Sequence, residues 1–195
     1  MIRYTVQANE DAFARYIGKK ITKGFGGFHK TPEGNRPEGE DMDTINHGAC
    51  AAEIAVARIL NLYWTGSVKR NRDVGGIIEV RSIFLPGHRL VARANDTDET
   101  PAVLVLVDLP PPKSELLPVC HLLGWQTYGY AKRYGKPKDP DSAWPCWMLP
   151  QHFLEPIEEL RRIVHAVKHQ EPTGRTDPWI LAYEKEELAR WGTVA

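Results

Sequence analysis

"PAVLVLVDL", Pro101–Leu109, is an apolar run broken only by an acid near its end. It is short, rich in β-branched valine, and lacks the polar alternation of a strand with one wet face. It therefore reads as a strand buried on both faces of a sheet. Pro110–Pro112 follow at once and end it, because proline cannot donate to a ladder. A strand covered on both sides requires layers above and below it, so the flanking sequence should supply helices and sister strands.

Upstream, "GGIIEVRSI" (Gly75–Ile83) and "HRLVARA" (His88–Ala94) read as strands, with "LPG" (Leu85–Gly87) as the turn between them. Downstream, "LPVCHLLG" (Leu117–Gly124) reads as a further strand and "WQTYGYAKRYG" (Trp125–Gly135) as a short helix with a basic last turn. "AWPCWML" (Ala143–Leu149) reads as an edge strand, since Pro145 is excluded from a central ladder. Helices are expected from Asn9 to Ile21, over "DTINHGACAAEIAVARILNLYW" (Asp43–Trp64), and over "LEPIEELRRIVHAVKH" (Leu154–His169). In the second of these, Asp43 or Thr44 can cap, and Ile45, Ala49, Ala52, Val56, Ile59 and Tyr63 recur at helical spacing. "EKEELARW" reads as a peripheral helix. The expectation is one α/β domain over residues 1–195. Residues 1–43 form an N-terminal helix and a mobile Gly/Pro-rich loop, 44–154 the core, and 155–195 the C-terminal helices.

The 195-residue chain carries 25 basic and 25 acidic residues, so no global field draws it to nucleic acid and any such contact must be local. No apolar run is long enough to span a membrane, and the first residues lack a secretory pattern. Three widely spaced cysteines, Cys50, Cys120 and Cys146, without a CxxC, suit reduced thiols in the cytoplasm. A zinc site from His47, Cys50, Cys120 and His121 lacks a second ligand pair at zinc spacing. The glycines between Lys23 and Asp43 lack the phosphate-cradling pattern and read as a loop able to lie over a site.

The chemistry concentrates in "RNRDVGGIIEVRS", Arg70–Ser82. On an extended strand Ile77, Glu79 and Arg81 share one side, while Ile78, Val80 and Ser82 share the other. Glu79 and Arg81 then lie about 7 Å apart. Gly75 and Gly76 permit a sharp bend that brings Asp73 back toward Glu79. Two carboxylates without cysteine or histidine make a hard, oxygen-rich site suited to Mg²⁺, whose natural partner is a phosphoryl group. Glu53, at the border of the apolar stripe of its helix and surrounded by alanines, can join them, and Arg81 can balance charge on a phosphate. An exposed Glu/Arg pair on a strand face is the plain alternative, and spacing alone leaves both open.

A helix glutamate, then an aspartate, then Glu-x-(basic) on a strand resembles the PD-(D/E)XK nuclease superfamily at Glu53, Asp73, Glu79 and Arg81. The chain looks most like small phage-encoded nuclease-like proteins, through "HGACAAE", "DVGGIIEVR", Gly124–Trp125 and Pro150–Gln151, from about Asn46 to Leu154. The resemblance implies a central mixed sheet flanked by helices, a restriction-endonuclease-like core, and Mg²⁺- or Mn²⁺-dependent hydrolysis of DNA phosphodiester bonds in the host cytoplasm. Asp73, Glu79 and Glu53 would be its metal ligands. Gln126 and Tyr130 resemble the QxxxY element of the exonuclease-like branch, which implies a place beside the scissile phosphate. Arg81 replaces the usual lysine, and arginine stays charged at any working pH, so it cannot act as a base. A catalytically inactive scaffold binding DNA or a host protein is the alternative that this replacement leaves open; an oligomer fits either.

Two basic groups could track a nucleic-acid backbone: Lys69, Arg70 and Arg72 before Asp73, and Lys132, Arg133, Lys136 and Lys138 after Gln126. Trp144, Trp147 and Phe28 are candidate stacking surfaces.

Overall fold

The computed structural model describes residues 1–24, 42–64, 66, 72–111, 114–138, 145–169, 173 and 178–191. Of the loop expected from Lys23 to Asp43, the two ends are helical instead, Lys23 and Gly24 in one helix and Met42 and Asp43 in the next, and 25–41, with Phe28, lies outside the described residues, as do Lys69, Arg70 and Trp144.

The fold is α/β, a mixed sheet flanked by helices. Its centre is the valine-rich strand β4 (Pro101–Asp108), buried along nearly its whole length. β4 pairs antiparallel with β5 (Val119–Thr127) and parallel with β2 (Glu79–Ile83), and β1 (Ile2–Thr5) pairs antiparallel with the far side of β5. The order β1-β5-β4-β2 leaves β2 at an edge. Because side chains alternate, β4 sends Val103, Val105 and Val107 into one core, and Ala102 and Leu104 into another.

The first core lies under α1 (Ala8–Gly24), α2 (Met42–Leu60), α4 (Ile157–Lys168) and α5 (Pro178–Trp191). α2 is built of small residues on its buried side, and the fit is tight. A Cβ on Gly48 would stand 2.4 Å from the Phe84 ring, and one on Gly18 of α1 would stand 2.8 Å from the His47 amide nitrogen. The second core lies under α3 (Tyr128–Tyr134) and an antiparallel sheet of β3 (Leu90–Arg93), β7 (Cys146–Leu149) and β6 (Lys136–Lys138).

Several local expectations change. β2 and β3 are not a hairpin: β2 runs parallel to β4, and β3 joins β7 in the other sheet. β2 begins only at Glu79, because Gly75 (φ 62°) and Gly76 (φ 75°) turn the chain, and Val74 and Ile78 close that turn with reciprocal backbone bonds of 3.1 and 3.0 Å. Ile77 therefore sits in the first core with Ile78 and Val80, not beside Glu79. β7 is the middle strand of its sheet, and Pro145 stands just before it, where no ladder bond is lost. Trp125–Thr127 extend β5 instead of opening the helix, so Gln126 is a strand residue. β1, four residues with an alternating half-buried pattern, is a strand that the sequence pattern does not announce.

The Gly124–Trp125 pair has a packing role. Leu123 is the extra residue where the β4–β5 register shifts, and a Cβ on Gly124 would lie 2.6 Å from Leu154 Cβ and 2.8 Å from the Glu155 carbonyl oxygen. That closeness lets Trp125 and Glu155 exchange backbone bonds of 3.0 and 2.9 Å. Gln151 of the Pro150–Gln151 pair donates its amide to the His88 carbonyl at 2.8 Å. Among the described residues, no helix is long and apolar enough to cross a membrane.

Candidate active site

The edge strand β2 starts beside three acidic side chains from three separate segments: Glu53 from the middle of α2, Asp73 from before the glycine turn, and Glu79 from the first position of the strand. Each feels the others or their neighbours. Burial and the charges of Asp73 and Glu79 push Glu53 up to about 8, against a pull in the other direction from Trp64. Burial and Glu79 push Asp73 up to about 6, while a backbone bond from Val80 and the charge of Arg81 oppose the rise. Glu79 is raised too, by burial and by Asp96, against Arg81 and Arg72. Like charges held together in a poorly solvated place disfavour ionisation, which is the physical content of all three shifts.

Two carboxylates are held by specific donors. The Trp64 indole N–H donates to Glu53 Oε2 at 2.6 Å, and the Val80 backbone N–H donates to Asp73 Oδ2 at 2.8 Å. Among the described residues β2 is an edge strand, so its outward N–H meets no neighbouring strand there, and Asp73 takes it.

Arg81 is differently placed from the expectation. One guanidinium nitrogen donates to both Asp96 oxygens at 3.1 Å, and the group lies 5.2 Å from the Tyr128 ring centroid. Burial works against its charge, but Tyr128, Asp96, Glu79 and Asp73 outweigh that and raise its pKa. Asp96 also accepts the Arg93 backbone N–H at 2.8 Å. Sequence reasoning missed Asp96, which sits in the loop after β3 with no motif around it. The repeated acids of "NDTDE" are its only signal, and a surface turn carries the same composition. It missed Tyr128 for a similar reason. This side chain is 1% exposed, its hydroxyl has no hydrogen-bond partner among the described residues, and burial raises its pKa.

The remaining candidates divide. Gln126 lies in the same cross-strand row as Glu79, with Ala102 of β4 between them, so both project from one sheet face about 10 Å apart. Its side-chain oxygen accepts the Thr127 backbone N–H at 2.9 Å. Tyr130 is not its helical partner, because the helix starts after Gln126; it packs on the second core with its ring 4.4 Å from that of Tyr134. Lys132 donates to the Asp96 carbonyl at 2.5 Å, to the Ala94 carbonyl at 3.3 Å and to Asp98 Oδ1 at 2.6 Å, so it ties α3 to the loop that carries Asp96. Arg133 is exposed, and Arg72 lies near enough to Glu79 to lower its pKa.

The donor set of Glu53, Asp73 and Glu79 is all oxygen and partly desolvated, with Glu53 and Asp73 each raised by an acidic neighbour of the set, which fits a hard divalent cation. The side chains are not drawn into a finished cage: among the described residues no group of three His, Cys, Asp or Glu side chains is gathered closely enough to hold an ion as it stands. The histidines considered for zinc are engaged elsewhere. His47 meets Asp11 at 2.6 Å between α1 and α2, and His121 meets Asp108 at 2.8 Å. Comparison with known protein families, with curated proteins and with solved structures finds no match to this chain.

Proposed function

We propose that this protein is a metal-dependent nuclease of the PD-(D/E)XK type that hydrolyses DNA phosphodiester bonds. The observation that carries this reading is the gathering of Glu53, Asp73 and Glu79 from three segments at the start of one edge strand, where burial raises the pKa of each, Asp73 and Glu79 raise Glu53 further, and Glu79 raises Asp73. A fold seldom keeps such a cluster half-buried unless a cation or a proton is part of its work. Mg²⁺ or Mn²⁺ held by Asp73, Glu79 and Glu53 would polarise a phosphate oxygen and make a bound water more acidic.

The chain's own residues do the rest. Val80 fixes the direction of the Asp73 carboxylate through Oδ2. Trp64 fixes Glu53 in the same way. With a pKa near 8, Glu53 holds a proton at neutral pH in the absence of a cation and can exchange it during hydrolysis. Arg81 keeps its charge throughout and offers it to a phosphate in place of Asp96. Purified protein with Mg²⁺ or Mn²⁺ should cleave DNA, and Glu79→Ala should abolish cleavage while the fold persists. No cleavage of either single- or double-stranded DNA defeats the enzyme reading.

One observation favours a second reading, a nuclease-like scaffold that binds DNA or a host protein without cutting. Asp96 already occupies the guanidinium of Arg81 through both oxygens. Undiminished binding and biological activity in Glu79→Ala would be its mark.

A further inference from the structure

A cavity of about 400 Å³ lies between α1, the end of α2 and the segment after it, and Phe13, Ile54, Arg58, Leu62, Tyr63 and Trp64 are among its lining residues. Phe13 meets the edge of Trp64, with ring centroids 5.4 Å apart and planes at 87°. Trp64 is also the residue that donates to Glu53, so one indole forms a wall of the cavity and touches the carboxylate site.

The exposed side of α1 continues from this cavity. Phe13, Tyr16 and Lys20 follow at steps of three and four residues and so share one helix face, spanning about 10 Å along the axis. Phe13 is 50% and Tyr16 53% exposed, and the Lys20 ammonium lies 4.6 Å from the Tyr16 ring centroid. Two exposed aromatics in line with a cation, leading to an aromatic-walled cavity, combine stacking surfaces with a phosphate contact. Duplex DNA keeps its base faces stacked inside, whereas an unpaired strand offers them to a protein.

We infer that the Phe13–Tyr16–Lys20 face of α1 and the adjoining Trp64 cavity bind an unpaired nucleic-acid strand and deliver it to the carboxylates. The inference rests on the nuclease reading and deepens it, since it names the substrate as a single strand or a frayed end. Bases stack on Phe13 and Tyr16, Lys20 meets a phosphate, and the Trp64 cavity receives the base nearest the site.

The test is fluorescence anisotropy of a labelled single-stranded 12-mer and of a blunt duplex, in EDTA so that hydrolysis is blocked. Tyr16→Ala and Phe13→Ala should each weaken single-strand binding by roughly tenfold, with little change for the duplex. Lys20→Gln should reduce the salt dependence of single-strand binding by about 0.7 in log–log slope. Both aromatics are half-exposed, so the variants should keep the wild-type circular dichroism, and Tyr16→Ala also leaves the Phe13–Trp64 contact in place. Unchanged affinity in Tyr16→Ala and Lys20→Gln overturns the inference. If those variants instead lose self-association in sedimentation, the face belongs to a second copy of the chain, which also overturns it. The two failures separate: Mg²⁺-dependent cutting with indifferent α1 variants sinks the strand track alone, whereas strand binding that needs α1 without any cutting sinks the nuclease alone.

Discussion

Trp64 donates its indole N–H to Glu53 Oε2 at 2.6 Å, joining the segment after α2 to the acid in the middle of that helix. The bond favours the charged form of Glu53 and so holds its pKa below where burial and its acidic neighbours would take it. Trp64→Phe keeps most of the ring but removes the donor. The Glu53 carboxyl should then titrate above its wild-type value of about 8, as read from side-chain ¹³C shifts against pH. A pKa that stays or falls shows that the bond does not set this acid's ionisation.

The pH dependence of stability follows from the same cluster, with a sign opposite to that of salt-bridged acids. Glu53 and Asp73 have folded-state values of about 8 and about 6, above their ordinary 4.5 and 3.8. Between those limits the folded chain keeps protons that the unfolded chain has released, so stability falls as pH rises. In EDTA the Tm contribution of these acids should decline from about pH 4 to pH 8 and then level off. Glu53→Gln should flatten most of the upper part of that decline and raise Tm at pH 8. Mg²⁺ should stabilise the wild type more at pH 8 than at pH 5, because the ligands are then ionised. Differential scanning calorimetry across this range checks all three.

Asp96 stands where a phosphate would stand in the proposed reaction, against the Arg81 guanidinium. Asp96→Ala removes the acceptor of Arg81 and of the Arg93 backbone N–H, at a cost to stability of about 1–3 kcal/mol by urea unfolding. It also frees Arg81, so single-strand affinity should rise while the protein becomes less stable. A variant that binds more weakly assigns Asp96 to positioning Arg81 instead of competing for it.

Gly124→Ala tests the fold apart from the site. The new methyl would enter space held by Leu154 Cβ and the Glu155 carbonyl, so the paired Trp125–Glu155 backbone bonds must open. A loss of about 1–3 kcal/mol is expected from urea unfolding. A neutral effect would show that this junction yields easily.

Much of the layered plan is legible from local pattern. The Pro101–Asp108 run and the stripe of α2 announce themselves because burial on both faces, or on one helical face, leaves a periodic imprint. Pairing leaves no such imprint. "LPG" is good turn chemistry, but the chain beyond it crosses to another sheet, and local propensity cannot tell a hairpin from a crossover. Gln126 reads as helical because "TYGY" follows it, whereas its pairing with Ala102 puts it in the strand. At the candidate site, strand alternation, a glycine turn and an alanine-rich helix suggest Glu53, Asp73 and Glu79 as neighbours, while spacing alone leaves an ordinary exposed ion pair equally open. Asp96, Tyr128 and Trp64 escaped because each acts through a long-range contact: on Arg81 across the loop after β3, beneath the same guanidinium, and on Glu53 from beyond the helix end.

The most direct measurement is anomalous diffraction from crystals soaked in Mn²⁺. The expected result is one strong peak within bonding distance of Asp73 and Glu79, with Glu53 contacting the ion or a water on it, and loss of that peak in Glu79→Ala. Ordered Mn²⁺ elsewhere only, or three acids that remain side by side without an ion at saturating Mn²⁺, contradicts the assignment of this cluster as a metal-dependent phosphodiesterase centre.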